Sequence, residues 1–386
     1  MTDHIVLFLE ERLGRYLDDL RTLVGIDSGS SDKAGVDAVN DWLEERLRAL
    51  GFSVVRFAQE NSGDDLMATL GGTGKGIVLL LGHSDTVFPK GTAIKRPMTV
   101  QGDRILGPGT CDMKAGLLAG IYAVAALRQV GFDDFGRIYY LCVSDEEIEE
   151  RHSLDLIRRT AREANAALTL EAARANGDIV TARKGVRGFL VEAFGRAAHA
   201  GVEPEKGRSA IVALAHHVIG LQRLNGLRPD VTVNVGTIQG GSVANAVPDY
   251  AQMQIDLRAF TNEDLEAVVA ATQAELEKET VPGVRVTMTP RGSGSPPMPR
   301  TPAAAALEEL AQQAARELGF EVKGVKTGGG SDAVVVASEG TPVLDGLGPI
   351  GGLDHSPDEY IELSSIVPRT ALLAKLIMAI AQKAEE

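Results

Sequence analysis

The sequence is poor in the residues that define several common classes of protein. Its 386 residues include two cysteines, Cys111 and Cys142, too few for a disulfide scaffold and typical of a reducing compartment. Lysine and arginine number 39 against 53 acidic residues, and the net charge of −14 argues against nucleic-acid or membrane-surface partners. No uninterrupted apolar run approaches the roughly 18–20 residues of a membrane span, and the N-terminus lacks a signal-peptide pattern. We therefore expect a cytoplasmic protein that binds neither membranes nor nucleic acid.

The residues that are present describe an ordinary globular chain. Hydrophobic residues make up 44% and charged residues 24%, and the length suits about two domains. Strand patterns alternate with helical patterns over residues 1–184, and the apolar run Ile77–Leu81 is typical of a strand buried on both faces. The segment Gly71–Gly76 precedes this strand rather than a helix, so we interpret it as a hairpin turn and not as a phosphate loop. These patterns predict an α/β sheet covered by helices.

The pattern changes after Lys184 to half-exposed strands. The order strand, helix, strand, strand, helix, strand over residues 185–293 predicts a ferredoxin-like α+β domain. The segment Arg291–Pro299 is rich in glycine, serine and proline and is interpreted as the linker by which the chain returns. The sequence thus predicts a domain at 185–293 inserted into a larger domain built from residues 1–184 and 294–386.

Polar residues follow the predicted strands, at the positions where open α/β sheets carry their sites. His83 comes just after Ile77–Leu81, and Glu171 directly after a strand that ends at Leu170. Glu147 belongs to the three consecutive acids, residues 145–147, that follow a strand ending at Ser144. Asp112 precedes an apolar helix, and His355 lies in a late loop. Each residue alone has an ordinary alternative, such as a hydrogen-bonded histidine, a helix cap or a solvated acidic loop. As a set, however, they are not easily explained in that way.

The set predicts a site for divalent metal ions. Two imidazoles and three carboxylates suit zinc, with cobalt or manganese as alternatives. Five ligands are one too many for a single tetrahedral site, so we expect two ions that share one carboxylate and a bridging water. Glu146, next to one ligand, is then available as the general base. The expected ligands are His83, Asp112, Glu147, Glu171 and His355.

Four motifs and one late histidine carry a family resemblance. They are Gly82-His-Ser-Asp-Thr86, Gly109-Thr-Cys-Asp-Met-Lys114, Asp145-Glu-Glu147, Leu170-Glu-Ala172 and His355. They resemble the di-zinc metallopeptidases that include glutamate carboxypeptidase, acetylornithine deacetylase, succinyl-diaminopimelate desuccinylase and aminoacylase. The resemblance covers essentially the whole chain. It implies a catalytic α/β domain with a mixed sheet, and a ferredoxin-like insert that acts as lid and dimerisation domain.

The resemblance also implies roles for individual residues. One zinc ion is held by His83, Asp112 and Glu171, and the other by Glu147, His355 and the bridging Asp112. Asp85 orients His83, and Glu146 is the base and proton shuttle.

The resemblance implies further roles in the insert and in a later loop. In the insert, His199 reaches the active site of the partner subunit in a homodimer and stabilises the oxyanion. Asn245 and Arg258 contact the substrate, and Gly330 lies in a glycine loop whose backbone approaches the terminal carboxylate of the substrate. We expect strands at Val186–Phe194 and Thr232–Ile238 to leave the edge that pairs in this dimer.

Two departures from the family pattern limit the prediction of substrate. In this family, small residues such as glycine and serine commonly follow the two glutamates, whereas this chain has Ile148–His152. His152 is therefore a possible but spurious candidate for a metal ligand. In the linker Arg291–Pro299, Arg291 is not accompanied by the second arginine that carboxypeptidases use to grip a glutamate side chain, so the resemblance does not imply strict specificity for a C-terminal glutamate. The predicted function is a carboxypeptidase, similar to glutamate carboxypeptidase, in which Glu146 activates a metal-bridged water to release a C-terminal amino acid. The alternatives are an N-acyl-amino-acid deacylase and, in another class, a non-catalytic metal- or ligand-binding module.

Overall fold

The computed structural model describes residues 3–148 and 151–383. The chain divides into two compact units. The first unit consists of Met1–Ala182, Arg300–Thr327 and Ser331–Glu386, and the second of Arg183–Pro299 and Gly328–Gly330. The prediction of a return linker at Arg291–Pro299 is wrong for the first half of that segment. The last strand of the second unit continues to Ser295, which pairs with Val186.

The helices and strands are numbered in chain order. The α-helices are α1 (His4–Val24), α2 (Lys33–Ala49), α3 (Thr92–Lys95), α4 (Ala115–Gln129), α5 (Leu154–Glu163), α6 (Ala210–Gln222), α7 (Asn262–Leu276), α8 (Pro302–Glu317), α9 (Ala333–Ser338) and α10 (Ile366–Lys383). The strands are β1 (Ser53–Phe57), β2 (Asp65–Gly71), β3 (Ile77–His83), β4 (Thr99–Gln101), β5 (Arg104–Leu106), β6 (Arg137–Val143), β7 (Ala166–Thr169), β8 (Ile179–Arg183), β9 (Gly185–Phe194), β10 (Ala198–His199), β11 (Thr232–Gly240), β12 (Ala246–Val247), β13 (Tyr250–Ala259), β14 (Arg285–Ser295), β15 (Gly324–Thr327), β16 (Val343–Leu344), β17 (Gly351–Gly352) and β18 (Tyr360–Glu362). Short helical turns lie at Thr110–Lys114, Pro204–Lys206 and Leu363–Ser365.

A six-stranded mixed sheet forms the centre of the first unit, in the order β1-β2-β6-β3-β7-β16. Strands β6, β3, β7 and β16 are parallel, whereas β2 runs antiparallel to β1 and β6. Residues 78–81 of β3 are completely buried, as expected of a strand with neighbours on both sides and helices α4, α5 and α10 packed against it. The predicted α/β sheet is confirmed.

The segment Gly71–Gly76 is not the hairpin turn that its composition predicted. It joins β2 to β3, and β6 lies between these two strands. The segment instead follows the chain that leads into β6: Gly72 donates its N–H to the carbonyl of Gly136 (3.3 Å), and the N–H of Gly136 donates to Gly76 (2.8 Å). Turn composition identified a change of direction here but could not identify which strands would pair.

The carboxyl ends of the parallel strands meet at one edge of the sheet. Strand β3 ends at His83, β6 at Val143 and β7 at Thr169, so the residues that follow them lie side by side. Helix α4 approaches this edge closely, because a Cβ atom placed on Gly116 would lie 1.8 Å from the carbonyl oxygen of Leu170. Glycine at this position therefore lets α4 pack directly against the chain that carries Glu171.

A second, smaller sheet was not predicted. It has the order β17-β18-β5-β4, and its strands are two or three residues long. Such strands are too short for an alternation of apolar and polar residues to be recognised in the sequence. This sheet is the platform for two expected ligands: Asp112 follows β5, and His355 lies in the loop between β17 and β18. The prediction that His355 belongs to the edge of the large sheet is corrected accordingly.

Two helical segments, Thr110–Gln129 and Leu363–Lys383, are long and apolar enough to cross a membrane by length and composition. Neither segment is an uninterrupted apolar run in the sequence, because polar and charged residues interrupt both. In the folded chain 89% of the first window and 61% of the second is buried inside the protein. Their apolar composition is explained by packing of α4 and α10 against each other and against β3.

The second unit is a four-stranded antiparallel sheet, β11-β13-β9-β14, packed against α6 and α7. The strand and helix order and the placement of the first strand between the third and fourth are those of a ferredoxin-like fold. Buried and half-buried residues alternate along β9 and β13, and the buried set forms the core with both helices. This topology corrects one expectation: Val186–Phe194 lies in the central strand β9, so the free edges of the sheet are β11 and β14.

Arg369 provides a test of how the loops beside the sheet edge are held. It is 2% exposed, and its guanidinium donates hydrogen bonds to three carbonyl oxygens. These belong to Gly177 (3.0 Å), Gly346 (2.6 Å) and Gly348 (3.2 Å). Arg369→Met would leave these acceptors without a donor, and we expect the unfolding free energy to fall by roughly 2–4 kcal/mol. Thermal unfolding followed by circular dichroism would measure the change.

The exposed Arg316 offers a matched control, and Arg316→Met should leave the unfolding midpoint within the error of the measurement. Equal midpoints for Arg369→Met and the unmodified protein would contradict the prediction.

Candidate metal centre

The structure brings all five expected ligands together within the first unit. Nε2 of His83 lies 2.9 Å from Oδ1 of Asp112 and 3.6 Å from Oε1 of Glu171. Nε2 of His355 lies 3.0 Å from Oδ2 of Asp112 and 3.2 Å from Oε2 of Glu147. These are two groups of three residues with ligand atoms within 4.8 Å of one another, and Asp112 belongs to both. Each of its carboxylate oxygens faces one histidine.

Asp85 connects His83 to the loop that carries the two glutamates. Nδ1 of His83 lies 3.0 Å from the main-chain oxygen of Asp85 and 3.4 Å from its carboxylate. The same carboxylate accepts hydrogen bonds from the N–H groups of Glu146 and Glu147, both at 3.2 Å, and from the Ser30 hydroxyl at 2.7 Å. Since Asp85 is completely buried, these bonds hold the histidine and the glutamate loop in one fixed relation.

The turn that carries Asp112 is held by a residue that the sequence analysis missed. Glu359 is completely buried, and its carboxylate accepts three backbone N–H groups. These belong to Gly109 (2.9 Å), Cys111 (2.8 Å) and Asp112 (3.0 Å). Glu359 lies four positions after His355, but nothing in the linear pattern links it to a turn some 250 positions earlier. The sequence offered only one indication of this role: Glu359 is an acidic residue in the same expected loop as His355.

The loop of His355 has an unusual backbone. Leu353 and His355 adopt positive φ angles of 58° and 62°, which residues other than glycine rarely adopt. The loop is tied to a neighbouring segment by a hydrogen bond from Arg96 to the carbonyl of Ser356 (3.3 Å). His355 is the most exposed of the five ligands, with about half of its side chain accessible (53%). The site is therefore open to solvent on the side of His355 and closed on the side of His83.

Burial and mutual repulsion of the carboxylates shift the proton affinities of the site. Burial raises the pKa of Glu146 to about 7 and that of Glu147 to about 8, with a further contribution from Asp112 at Glu147. Burial also raises the pKa of Glu171 well above its usual value. The hydrogen bond with Asp112 raises the pKa of His355 to about 9. Without a cation, the protein thus holds protons at neutral pH on groups that bind metal only when deprotonated.

The residues fit a pair of divalent cations. Oε1 of Glu147 is buried without a hydrogen-bond partner among the described residues, which is costly for a carboxylate unless a cation or proton satisfies it. The imidazole nitrogens of His83 and His355 both face the carboxylate of Asp112, as a bridging ligand requires. Imidazole and carboxylate ligands in this ratio suit zinc, cobalt or manganese.

A third cluster includes His152. Its ring nitrogens lie 3.2 Å from Asp65 and 3.0 Å from Asp145, and these three residues also place ligand atoms within 4.8 Å of one another. Here, however, the acceptors are already used: Asp145 accepts the N–H groups of His152 and Ser153, and Asp65 accepts the N–H of Ser144. This cluster is therefore a hydrogen-bonded network.

The four residues expected to contact the substrate, three from the insert and Gly330 from the chain after it, all lie in the second unit. His199 in β10 pairs with Ala246 in β12, and the carbonyl of Asn245 accepts the N–H of Ala200 (3.0 Å), so His199 and Asn245 are close neighbours. Arg258 forms an ion pair with Asp256 (2.8 Å) and donates to the carbonyl of Gly328 (2.7 Å). It therefore lies beside the glycine loop that contains Gly330.

Comparison with known proteins agrees with this geometry. The profile of peptidase family M20/M25/M40 matches residues 79–379, a range that contains all five ligands. The chain belongs to this family. M20 members are metal-dependent hydrolases, so the chain is an enzyme of that class.

Several M20 relatives align along almost the full chain. Carboxypeptidase G2 of Pseudomonas sp. (strain RS-16) is 32% identical over 93% of this chain and 88% of its own length. Acetylornithine deacetylase of Proteus mirabilis (strain HI4320) is 27% identical over 97% of this chain and 99% of its own. The crystal structure of aminopeptidase PepT from Bacillus cereus ATCC 10987 has a TM-score of 0.83 and 26% identity, and the match covers 96% of this chain and 99% of that chain. These relatives share the fold but carry the names of different reactions.

The raised pKa values predict that metal ions and protons compete for this M20 site. Because Glu147 and His355 must lose their protons to bind a cation, zinc affinity should rise with pH up to about 9 and should fall as the pH drops through about 9 and then about 8. Binding at neutral pH should release protons, which calorimetric titration in buffers of different ionisation enthalpy would count. The Glu147→Gln variant should release fewer protons. Zinc binding that is independent of pH across this range would contradict the assignment of the ligands.

Proposed function

We propose that this protein is a di-metal carboxypeptidase that releases the C-terminal amino acid from small peptides. The observation that carries the proposal is the shared carboxylate of Asp112 between two three-residue ligand groups, with Glu146 directly beside one of them. The name of the relative with 32% identity, carboxypeptidase G2, supports cleavage next to a free carboxylate. The resemblance to glutamate carboxypeptidases at the glycine loop and at Asp256–Arg258 supports the same direction of cleavage.

In this proposal each residue of the first unit has a defined task. His83, Asp112 and Glu171 hold one zinc ion, and Asp112, Glu147 and His355 hold the other. When bound, the two ions lower the pKa of a water molecule and polarise the scissile carbonyl group. Glu146 accepts a proton from the attacking water and donates it to the leaving amine.

The position of Glu146 suits this proton transfer. Its N–H is bonded to Asp85, so its main chain is fixed relative to His83. Burial raises its pKa to about 7, in the range where a carboxyl group both accepts and donates protons at neutral pH. Its side chain remains partly accessible, unlike that of the completely buried Asp145 next to it. Of the two, only Glu146 is therefore open to a reacting group.

The alternative function is removal of an N-acyl group from an amino acid. The match to acetylornithine deacetylase, which covers 97% of this chain, favours this candidate. Both reactions break an amide bond next to a free carboxylate, and they differ only in the group on the acyl side. In the sequence, the segment Ile148–His152 departs from the family pattern directly after Glu147, and two of its residues, Glu149 and Glu150, lie outside the residues that the structure describes.

A panel of paired substrates tests the choice. Each pair would share one C-terminal amino acid, carrying either a blocked aminoacyl group or an acetyl group. We expect the zinc-loaded enzyme to have a higher kcat/KM for the peptide of each pair; a consistent preference for the acetyl compound would instead support the deacylase. In the control, Glu146→Gln should retain both metal ions and lose about 10²–10⁴-fold in kcat, as is typical of a general acid–base group.

We further propose that the second unit forms a homodimer. Strand β11 is a free sheet edge with unpaired backbone groups, and most of its residues are exposed. Helix α6 packs beside β11 and exposes Ile211, Val212 and Ile219, while Ile238 of β11 is about half exposed (49%). Exposed apolar side chains beside an unpaired sheet edge are typical of a surface that is covered by a second copy. Strand β9 cannot form the edge that pairs in the dimer, because it is already paired with β13 and β14 on its two sides.

A dimer would allow His199 to act in trans, which mixing of two inactive variants can test. His199→Ala should lose roughly 10²–10³ in rate if the imidazole stabilises the oxyanion. In a mixed dimer with Glu146→Ala, one site combines an intact Glu146 with His199 of the partner subunit, and activity should partly return. Subunit exchange would be followed by native mass spectrometry. Proven exchange without recovered activity would place His199 in its own subunit's site or outside the reaction.

The compartment in which the enzyme works is also part of this proposal. Cys111 and Cys142 are both free and buried, and neither forms a disulfide. Free thiols together with an acidic net charge support a cytoplasmic enzyme.

A further inference from the structure

The glycine loop of the second unit is held through its carbonyl groups by two arginines. Nη1 of Arg258 donates to the carbonyl oxygen of Gly328 at 2.7 Å. Nη1 of Arg183 donates to the next two carbonyl oxygens, those of Gly329 (2.9 Å) and Gly330 (2.7 Å). Three consecutive peptide groups are thus fixed in orientation by two guanidinium groups.

Arg183 is firmly placed for this contact. It is the last residue of β8, and its main chain exchanges two hydrogen bonds of 3.0 Å with Met298. Only 3% of Arg183 is exposed. A buried guanidinium is costly unless its N–H groups are satisfied, so the bonds to the loop stabilise the arginine as much as they orient the loop.

The orientation of the carbonyl groups determines where the N–H groups point. In a trans peptide the C=O of one residue and the N–H of the next lie in one plane and point in opposite directions. With the carbonyls of Gly328 and Gly329 turned toward the arginines, the N–H groups of Gly329 and Gly330 point away from them. In the part of the chain that the structure describes, neither N–H donates to a protein acceptor.

The face that these N–H groups occupy is accessible. All three glycines are exposed, and a Cβ atom placed on Gly328 or Gly330 would have no neighbour within 4 Å. Successive backbone N–H groups on an open surface form a concavity that binds anions.

We propose that Arg183 is a positioning residue for substrate recognition, which holds the glycine loop so that its N–H groups bind the free α-carboxylate of the substrate. This inference rests on the proposed function, since it assumes cleavage next to a free carboxylate. Arg183 does not touch the substrate; it acts through Gly329 and Gly330. A lysine at this position would retain the charge but lose the planar donor group that binds two adjacent carbonyls.

The test compares two substrates that differ only in the C-terminal group. One ends in a free α-carboxylate and the other in a carboxamide, and kcat/KM is measured for both. We expect the unmodified enzyme to prefer the carboxylate strongly. In Arg183→Met the preference should fall by about tenfold or more, mainly through a raised KM for the carboxylate, because bonds to a charged group are lost. Arg183→Lys should restore only part of the preference.

Arg369 provides a matched control. It is about as buried as Arg183, and it donates to three carbonyl oxygens where Arg183 donates to two, but it lies in the first unit. Arg369→Met should lower stability and reduce the rates for both substrates by a similar factor, so that the preference for carboxylate is unchanged. A purely structural role of Arg183 would give this same result, and an unchanged preference in Arg183→Met and Arg183→Lys would therefore overturn the inference.

Two further outcomes are informative. If the unmodified enzyme hydrolyses the carboxamide as well as the carboxylate, the proposed function itself fails, whatever the variants do. If Arg183→Met does not fold, Arg183→Lys and Gly330→Ala decide the question. Gly330 has a negative or extended φ and open space around its Cβ position, so alanine should fold and obstruct the approach of the carboxylate. A normal preference in both of these variants would overturn the inference.

Discussion

The carboxylate of Asp112 faces two imidazoles at once, and the arrangement of the first unit depends on this contact. Two further carboxylates, Glu147 and Glu171, lie within a few ångströms of the same histidines. Negative charges at such distances repel strongly unless protons or cations lie among them. Hydrogen bonds hold the main chain of the ligands in place against this repulsion. The N–H of Asp112 donates to Glu359, and the N–H of Glu147 donates to Asp85. Two completely buried acids that are not expected ligands, Asp85 and Glu359, thus hold the main chain of the residues that are expected ligands.

Much of the site could be predicted because strand ends are visible in the sequence. His83 and Glu171 follow short apolar runs, and parallel strands bring such positions together whatever the intervening chain does. Asp112 and His355 were identified by residue type and by resemblance, although the small sheet that supports them was not predicted. Glu359 and Arg183 could not be found in this way. Their importance lies in hydrogen bonds to backbone groups distant in the chain, and backbone groups leave no trace in the sequence.

The fold was predictable in its elements and less so in their pairing. The apolar run at β3 and the strand and helix order of the second unit both correspond to what the structure contains. The errors concern neighbours: β6 inserts between β2 and β3, and β9 occupies the centre of its sheet instead of the edge. Local composition determines that a strand or a turn forms, whereas the partner of a strand is decided by tertiary packing. Pairing therefore needed the three-dimensional structure.

The tether from Glu359 to the turn of Asp112 has a consequence for the maturation of the enzyme. His355 and Glu359 come 243 and 247 positions after Asp112, beyond the whole inserted unit. A ribosome makes the chain from the N-terminus, so the early ligands emerge long before the residues that complete them. During that interval Asp112 has neither its second histidine nor its anchoring acid. A chain assembled in this order completes its set of candidate ligands only after the whole inserted unit has been synthesised, because His355 and Glu359 follow that unit.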